Sequence, residues 1–470
     1  MENTPESRII EIVAAQKAFW ATGATQSVKF RKEQLRKFQA ALLKWEKPLL
    51  DALWHDLHKS AEEAFLTETS LVKGEIREHL AHVEGWARRE RIRPVPAVLP
   101  SRTYVVKEPL GTALIVSPWN YPVQLLLSPL VGAISAGCTA VLKPSPYVPQ
   151  VSEVLGKMIA DTFPENYVAL VQGNREVNTI LFAQRWDLIF FTGSPKLART
   201  VMAAAAANLT PLVLELGGKS PCIIDKSADV KLAARRVAWG KTLNAGQTCI
   251  APDYILVHED VKDAFVAEFA KAVEELHGRD IAESKHFVRI VTDAAFKRVS
   301  GYLQCGKILY GGRTDAGQRF IEPTLLGDVP LDSPVMTEEI FGPVFPVISV
   351  SEKGNSQTGF QGSFADQIAA FVNSREKPLA FYYFGDESCG WELVNRTSSG
   401  GGCINDVIMH IANSNAPFGG VGNSGMGHYH GKDSFEAFTH RRTVLASPVK
   451  IDLPLRYMPY ELIDVAKKLL

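Results

Sequence analysis

Hydrophobic positions recur along this chain in two rhythms, one near its start and another from residue 111 onward. Over residues 8–87 the spacing is helical. Leu35, Phe38 and Leu42 share a face, and Leu49, Leu50, Leu53 and Leu57 resume the stripe after Pro48, which is expected to interrupt the helix. From 111 to 216, short apolar runs at 112–116, 139–142, 167–171, 188–191 and 212–214 alternate with helical segments. This alternation predicts a parallel sheet with helices on both faces, where ligands bind beyond the carboxyl ends of the strands. A second alternation follows from 220 to about 415, with strands at 222–224 and 254–257 and helices over 229–243 and 260–277. The expected fold class is therefore α/β, with two doubly wound parallel-sheet domains.

Three stretches break the rhythm. Residues 88–110 carry Pro94, Pro96 and Pro100 ahead of an extended run at 101–107, which suggests an arm rather than a core strand. Residues 351–363 are polar and glycine-rich and read as a mobile surface loop. The tail is glycine-punctuated over 417–427 and then turns strand-like at Thr443-Val444-Leu445. Glycines at that density imply backbone approaching a ligand or another subunit, or else a loosely ordered loop.

Charge and cysteine usage narrow the partners. Lys+Arg and Asp+Glu both total 51, so nothing favours nucleic acid or an anionic membrane surface. The six cysteines form no CxxC pair, and the start Met1-Glu2-Asn3-Thr4-Pro5-Glu6 lacks the features of a secretion signal. A reducing, cytoplasmic compartment with free thiols is expected. No apolar run approaches the ~20 residues of a membrane helix, so no membrane anchor is expected. No histidine falls at zinc-ligand spacing, so no metal is expected either.

The candidate chemistry lies in the punctuation. Asn244-Ala245-Gly246-Gln247-Thr248-Cys249 sets a cysteine in a tight, small-residue turn that could leave its sulfur reachable and put amide N–H groups beside it. Free cysteines are also among the most buried residues, and the local stretch leaves nucleophile and inert thiol both open. Polar turns follow four of the predicted strands: Ser117-Pro118-Trp119-Asn120, Lys143-Pro144-Ser145-Pro146, Thr192-Gly193-Ser194-Pro195 and Glu215-Leu216-Gly217-Gly218-Lys219. Pro195 suits the first position of a helix whose N-terminal amides could face a pyrophosphate.

With Glu338-Glu339-Ile340-Phe341-Gly342-Pro343 and Pro417-Phe418-Gly419-Gly420-Val421-Gly422, these motifs in this order resemble the aldehyde dehydrogenase superfamily over residues 8 to 450, and in particular its class 3 branch acting on fatty and aromatic aldehydes. The resemblance implies NAD(P)-dependent oxidation of aldehydes to acids. Cys249 would be the nucleophile, Asn120 and the Cys249 backbone N–H the oxyanion donors, and Glu215 the general base that hydrolyses the thioester. Glu215 could instead form an ion pair with Lys219. Trp119, Lys143, Gly193 and Ser194 would contact NAD or NADP, Glu339 the nicotinamide ribose, and Phe341 the ring, although Phe341 could equally be plain core.

The resemblance further implies a Rossmann-like cofactor domain over 1–87 and 111–216, a catalytic domain over 217–415, and an oligomerisation arm with C-terminal tail over 88–110 and 416–470, joining a homodimer. Where many NAD-preferring members carry Glu, this chain has Pro146, so use of NADP as well as NAD is expected. The competing reading is a cofactor-independent cysteine thioesterase or esterase built on Cys249 and Glu215.

Overall fold

The computed structural model describes residues 2–353, 356–452 and 454–469. The helical region comprises Glu6–Ala21, Val28–Leu57, the short Ala61–Ala64 and Ser70–Trp86. Contrary to expectation, Pro48 does not break the second of these. Proline removes one N–H bond, and the carbonyl it would have engaged belongs to exposed Lys44, where water can serve it. Fully buried Leu42, Leu49 and Leu53 hold the helix together on either side.

Two sheets form the body. The first runs in the order Gly425–Met426, Leu212–Glu215, Leu188–Thr192, Thr112–Val116, Thr139–Lys143, Val168–Leu170. The chain winds outward from Thr112–Val116 in one direction and returns to wind from Leu188–Thr192 in the other. That reversal creates a crevice beyond the carboxyl ends of these two strands, as in other doubly wound sheets. The second sheet has seven strands in the order Lys307–Tyr310, Thr324–Gly327, Val344–Val350, Tyr254–His258, Pro221–Ile224, Ala380–Phe384, Gly401–Ile404. Neither sheet is wholly parallel. Gly425–Met426 and Lys307–Tyr310 are antiparallel edges; Lys307–Tyr310 runs on to its partner Thr324–Gly327 without an α-helix between them. The central strands are buried along their whole length on both faces, which is why they read as continuous apolar runs.

Glu90–Ile92, Arg102–Pro109 and Thr439–Ala446 form a separate antiparallel sheet in which arm and tail pair within one chain, over eight residues from Thr439↔Pro109 to Ala446↔Arg102. The 416–470 stretch is thus divided. Its glycine-rich part joins the first sheet, its helix Lys432–Ala437 packs on the helix Gln124–Ala136, and only its strand joins the arm.

Residues 351–353 and 356–363 are an irregular segment with buried anchors at Ser351 and Thr358. Gln357 Oε1 accepts from Ser349 N–H at 2.7 Å, and Ser363 caps the helix Phe364–Asn373. The expected mobile loop is pinned at these points, while Gly354 and Asn355 lie outside the described residues.

Candidate active site

The carboxyl edge of the first sheet faces the amino edge of the second, since Glu215 ends a strand of one and Pro221 begins a strand of the other six residues later. Between the edges lies a cavity of about 690 Å³. All nine residues singled out from the sequence line it: Trp119, Asn120, Lys143, Gly193, Ser194, Glu215, Cys249, Glu339 and Phe341.

Cys249 is half-buried, in the turn between the helix Val230–Thr242 and the strand Tyr254–His258. The turn begins with three consecutive left-handed residues, Asn244 (φ 51°), Ala245 (52°) and Gly246 (71°). Only glycine fits the third, because a Cβ there would come within 2.4 Å of the Gly342 carbonyl oxygen. Gln247 fixes the turn from beneath. Its amide donates to Asn244 O at 3.0 Å and Arg289 O at 3.1 Å, and its oxygen accepts from Val291 N–H. Burial pushes the Cys249 thiol up to about 12, with the Glu339 and Glu215 carboxylates adding to the rise. The backbone N–H groups of Ile250 and Cys249 work against it.

Asn120 bridges the two sheets. Its side-chain amide donates to Gln247 O at 3.0 Å, and its own carbonyl accepts from Asn244 Nδ2 at 2.9 Å. One amide proton of Asn120 remains uncommitted by these contacts. Glu215 is 3% exposed, and neither carboxylate oxygen has a hydrogen-bond partner among the described residues, so burial drives its carboxyl well above the usual range. The ion pair with Lys219 does not form. Lys219 is bound instead to Asp253, whose other oxygen accepts from Ile340 N–H at 2.9 Å.

The remaining wall suits a dinucleotide. Glu339 Oε1 accepts from Gly218 N–H at 3.0 Å, and burial pushes this carboxyl up to about 8 despite that bond. A side chain at Gly217 would displace it, since a Cβ would approach its oxygens to 2.3 Å. Phe341 (φ 47°) turns its ring onto the edge of Trp119, 5.5 Å between centroids, so it faces the cavity and not the core. Lys143 is 1% exposed with its ammonium on Pro144 O at 2.8 Å and no carboxylate paired with it among the described residues. Burial lowers it to about 8. Gly193 N–H donates to Glu215 O at 3.0 Å, and Ser194 caps the helix Pro195–Ala206, whose free N–H groups open on the cavity.

Sequence reasoning missed part of the wall. Phe418 and Tyr429 line it, whereas Tyr121 and Ile250 pack behind the turn; the Tyr121 hydroxyl and Thr248 Oγ1 lie 2.6 Å apart. Arg298, also missed, holds the backbone of Glu339 and Ile340 through their carbonyls at 3.2 and 3.0 Å. As an arginine on a polar helix it carried no distinguishing sequence signal.

The model of the aldehyde dehydrogenase family matches residues 3–444. The chain belongs to the aldehyde dehydrogenase family. It is 41% identical over 448 residues to the 4,4'-diaponeurosporen-aldehyde dehydrogenase of Staphylococcus aureus, covering 95% of each chain. To the dimeric NADP-preferring aldehyde dehydrogenase of Canis lupus familiaris it is 40% identical, covering 96% of this chain and 98% of that one. Among solved structures, a Staphylococcus aureus AldH in a substrate-bound state superposes with a TM-score of 0.93 at 40% identity, covering 98% of both chains. The enzyme is thus an NAD(P)-dependent oxidoreductase acting on aldehydes, and the cofactor-independent thioesterase reading is set aside.

The unpartnered Glu215 sets a pH dependence. Unfolded, its carboxyl titrates near 4.5; folded, it titrates well above that, so the native enzyme holds the extra proton and loses stability as pH rises through the window. Glu215→Gln removes this loss. Its melting temperature should exceed the parent's, by a margin that widens as pH rises above about 4.5 in thermal melts. A margin that stays flat or reverses would contradict an unpaired carboxylate.

Proposed function

We propose that Cys249 is the nucleophile of aldehyde oxidation, Asn120 and the Cys249 backbone N–H the oxyanion donors, and Glu215 the base of thioester hydrolysis. What supports this division most is the state of Glu215, a buried carboxyl with no partner among the described residues, on the same cavity as the cysteine. Burial opposes charge on both groups. The nicotinamide of NAD(P)+, when bound, supplies a positive charge and the hydride acceptor. With its thiol proton given up to solvent, Cys249 Sγ adds to the aldehyde carbon, and the resulting oxyanion accepts hydrogen bonds from the free Asn120 amide N–H and the Cys249 N–H. Loss of hydride from the same carbon leaves a thioester on Cys249. Glu215, having given its own proton up to solvent, takes a proton from water as the water attacks that thioester, releasing the acid and the thiolate.

Glu339 would hold the nicotinamide ribose and Phe341 and Trp119 the ring, while Lys143, Gly193 and Ser194 would carry the adenosine and phosphate end. Trp119, Phe418 and Tyr429 make the rest of the wall aromatic, which suits medium- or long-chain aliphatic and aromatic aldehydes. The domain division follows these roles, with 1–87 and 111–216 for the cofactor, 217–415 for chemistry, and 88–110 and 416–470 as arm and tail. Six free thiols fit a cytoplasmic setting, and no described helix is long and apolar enough to cross a membrane.

Cys249→Ala should abolish turnover while fluorescence quenching still reports NAD binding. Glu215→Gln should accumulate an enzyme heavier by one acyl group in intact mass spectra. Turnover by Cys249→Ala, or a Glu215→Gln enzyme blocked before hydride transfer, would overturn the assignment.

Both cofactors should serve. The carboxylates lining the cavity among the described residues are Glu215 and Glu339, whereas Pro146 shares the wall with Lys143, Arg175 and Lys196, none of which repels a 2′-phosphate. Pro146→Glu should shift the ratio of kcat/KM toward NAD by about tenfold or more, since a like-charge pair at ~4 Å costs on the order of 1–4 kcal/mol at an effective dielectric of 20 to 80. An unchanged ratio would refute it.

The assembly we propose is a homodimer. Thr439–Ala446 is an edge strand of its sheet and exposes Val444 and Leu445, a liability that pairing across subunits removes. Light scattering at micromolar concentration should give twice the chain mass; a monomer would exclude it.

A further inference from the structure

Behind the Asn120 segment lies an ion pair that the chemistry above does not use. Lys59 and Glu68 are both fully buried, with Lys59 Nζ 2.7 Å from Glu68 Oε1. Glu68 sits in a π-helical turn, Phe65–Thr69, that interrupts the helical run from Ala61 to Trp86. Such turns insert one residue and re-aim those around it. Here Phe65 and Leu66 face solvent while Glu68 and Thr69 are wholly buried.

Every polar atom of the pair is committed. Glu68 Oε2 accepts from the N–H groups of Val123 and Gln124 at 2.8 and 3.2 Å, the otherwise orphaned donors at the start of the helix Gln124–Ala136. Lys59 Nζ donates to Asn120 O at 3.0 Å and lies 4.2 Å from the centre of the Tyr121 ring. One end of the pair therefore fixes where the helix begins, and the other fixes the carbonyl of the residue whose amide faces the cavity. A buried ion pair is a poor source of stability compared with apolar side chains of the same volume, so its contacts and not its energy explain its presence.

We infer that Lys59 and Glu68 are positioning residues for aldehyde oxidation, holding the Asn120 amide where the oxyanion forms. The inference rests on the reading of Asn120 as an oxyanion donor. A carbonyl held by both Lys59 and Asn244 cannot rotate with its peptide plane, and the side chain then has only its own torsions to settle, one of which the bond to Gln247 O restrains. Loosening this by about 1 Å can cost on the order of a hundredfold in rate without touching the cofactor.

The test compares Lys59→Met/Glu68→Gln, which removes both charges and keeps an acceptor for the helix start, with Asn120→Ala and with all three changes together. Substrates are hexanal and benzaldehyde. The double variant should lose about tenfold or more in kcat while the KM for NAD(P) and the fluorescence-monitored binding of NAD stay within about twofold of the parent. Asn120→Ala should lose about a hundredfold, and adding the double change to it should cost nothing further. Losses that multiply, or a double variant with parent kcat, would overturn the inference and leave the role of Asn120 standing. Parent turnover in Asn120→Ala would remove the oxyanion reading and the inference together. Should the double variant fail to fold, Lys59→Arg keeps the charge and displaces the donor, and its effect with and without Asn120→Ala is read in the same way.

Discussion

Two sheets meeting edge to edge create a problem of backbone hydrogen bonding, and its solution holds the cavity in place. The segments between them, 117–123 and 243–253, belong to neither ladder, so their buried N–H and C=O groups must find partners elsewhere. They find them chiefly in one another and in side chains: Asn120 with Asn244 and Gln247, Gln247 with Val291 and Arg289, Asp253 with Ile340 and Lys219. Cys249 is held by this knot rather than by regular secondary structure. The three left-handed residues before it are tolerated because the bonds around them leave no alternative path.

Burial in the cavity works against its acidic groups carrying charge. Cys249, Glu215 and Glu339 each sit where burial opposes charge, and any negative charge on the two carboxyls raises the thiol further.

Much of this was legible in the chain. The strands appeared as apolar runs because they are buried on both faces; the nine candidate residues converge on one cavity because Trp119, Asn120, Lys143, Gly193, Ser194 and Glu215 lie at strand ends of the first sheet, while Cys249, Glu339 and Phe341 lie just before strands of the second, whose amino edge faces them. What stayed hidden depends on contacts distant in sequence. Lys59 and Glu68 look like ordinary charges on a helix surface; only a π-helical turn, which has no sequence signature, carries Glu68 inward. Pro48 looked like a helix end because a local rule ignores the packing of Leu42, Leu49 and Leu53 on either side. The antiparallel edges came from segments too short to show a period of two.

The strand that flanks Glu215 comes from the far end of the chain. Gly425 and Met426 pair with Glu215 and Leu214, and Phe418 and Tyr429 close the same wall. Consequently Asn120, Glu215 and Cys249 have all been synthesised before the last wall of the cavity they line. A chain ending before residue 417 would carry these side chains without the strand beside Glu215 and without Phe418 and Tyr429 on the wall, so the enclosure of the cavity depends on a segment made long after the residues it encloses.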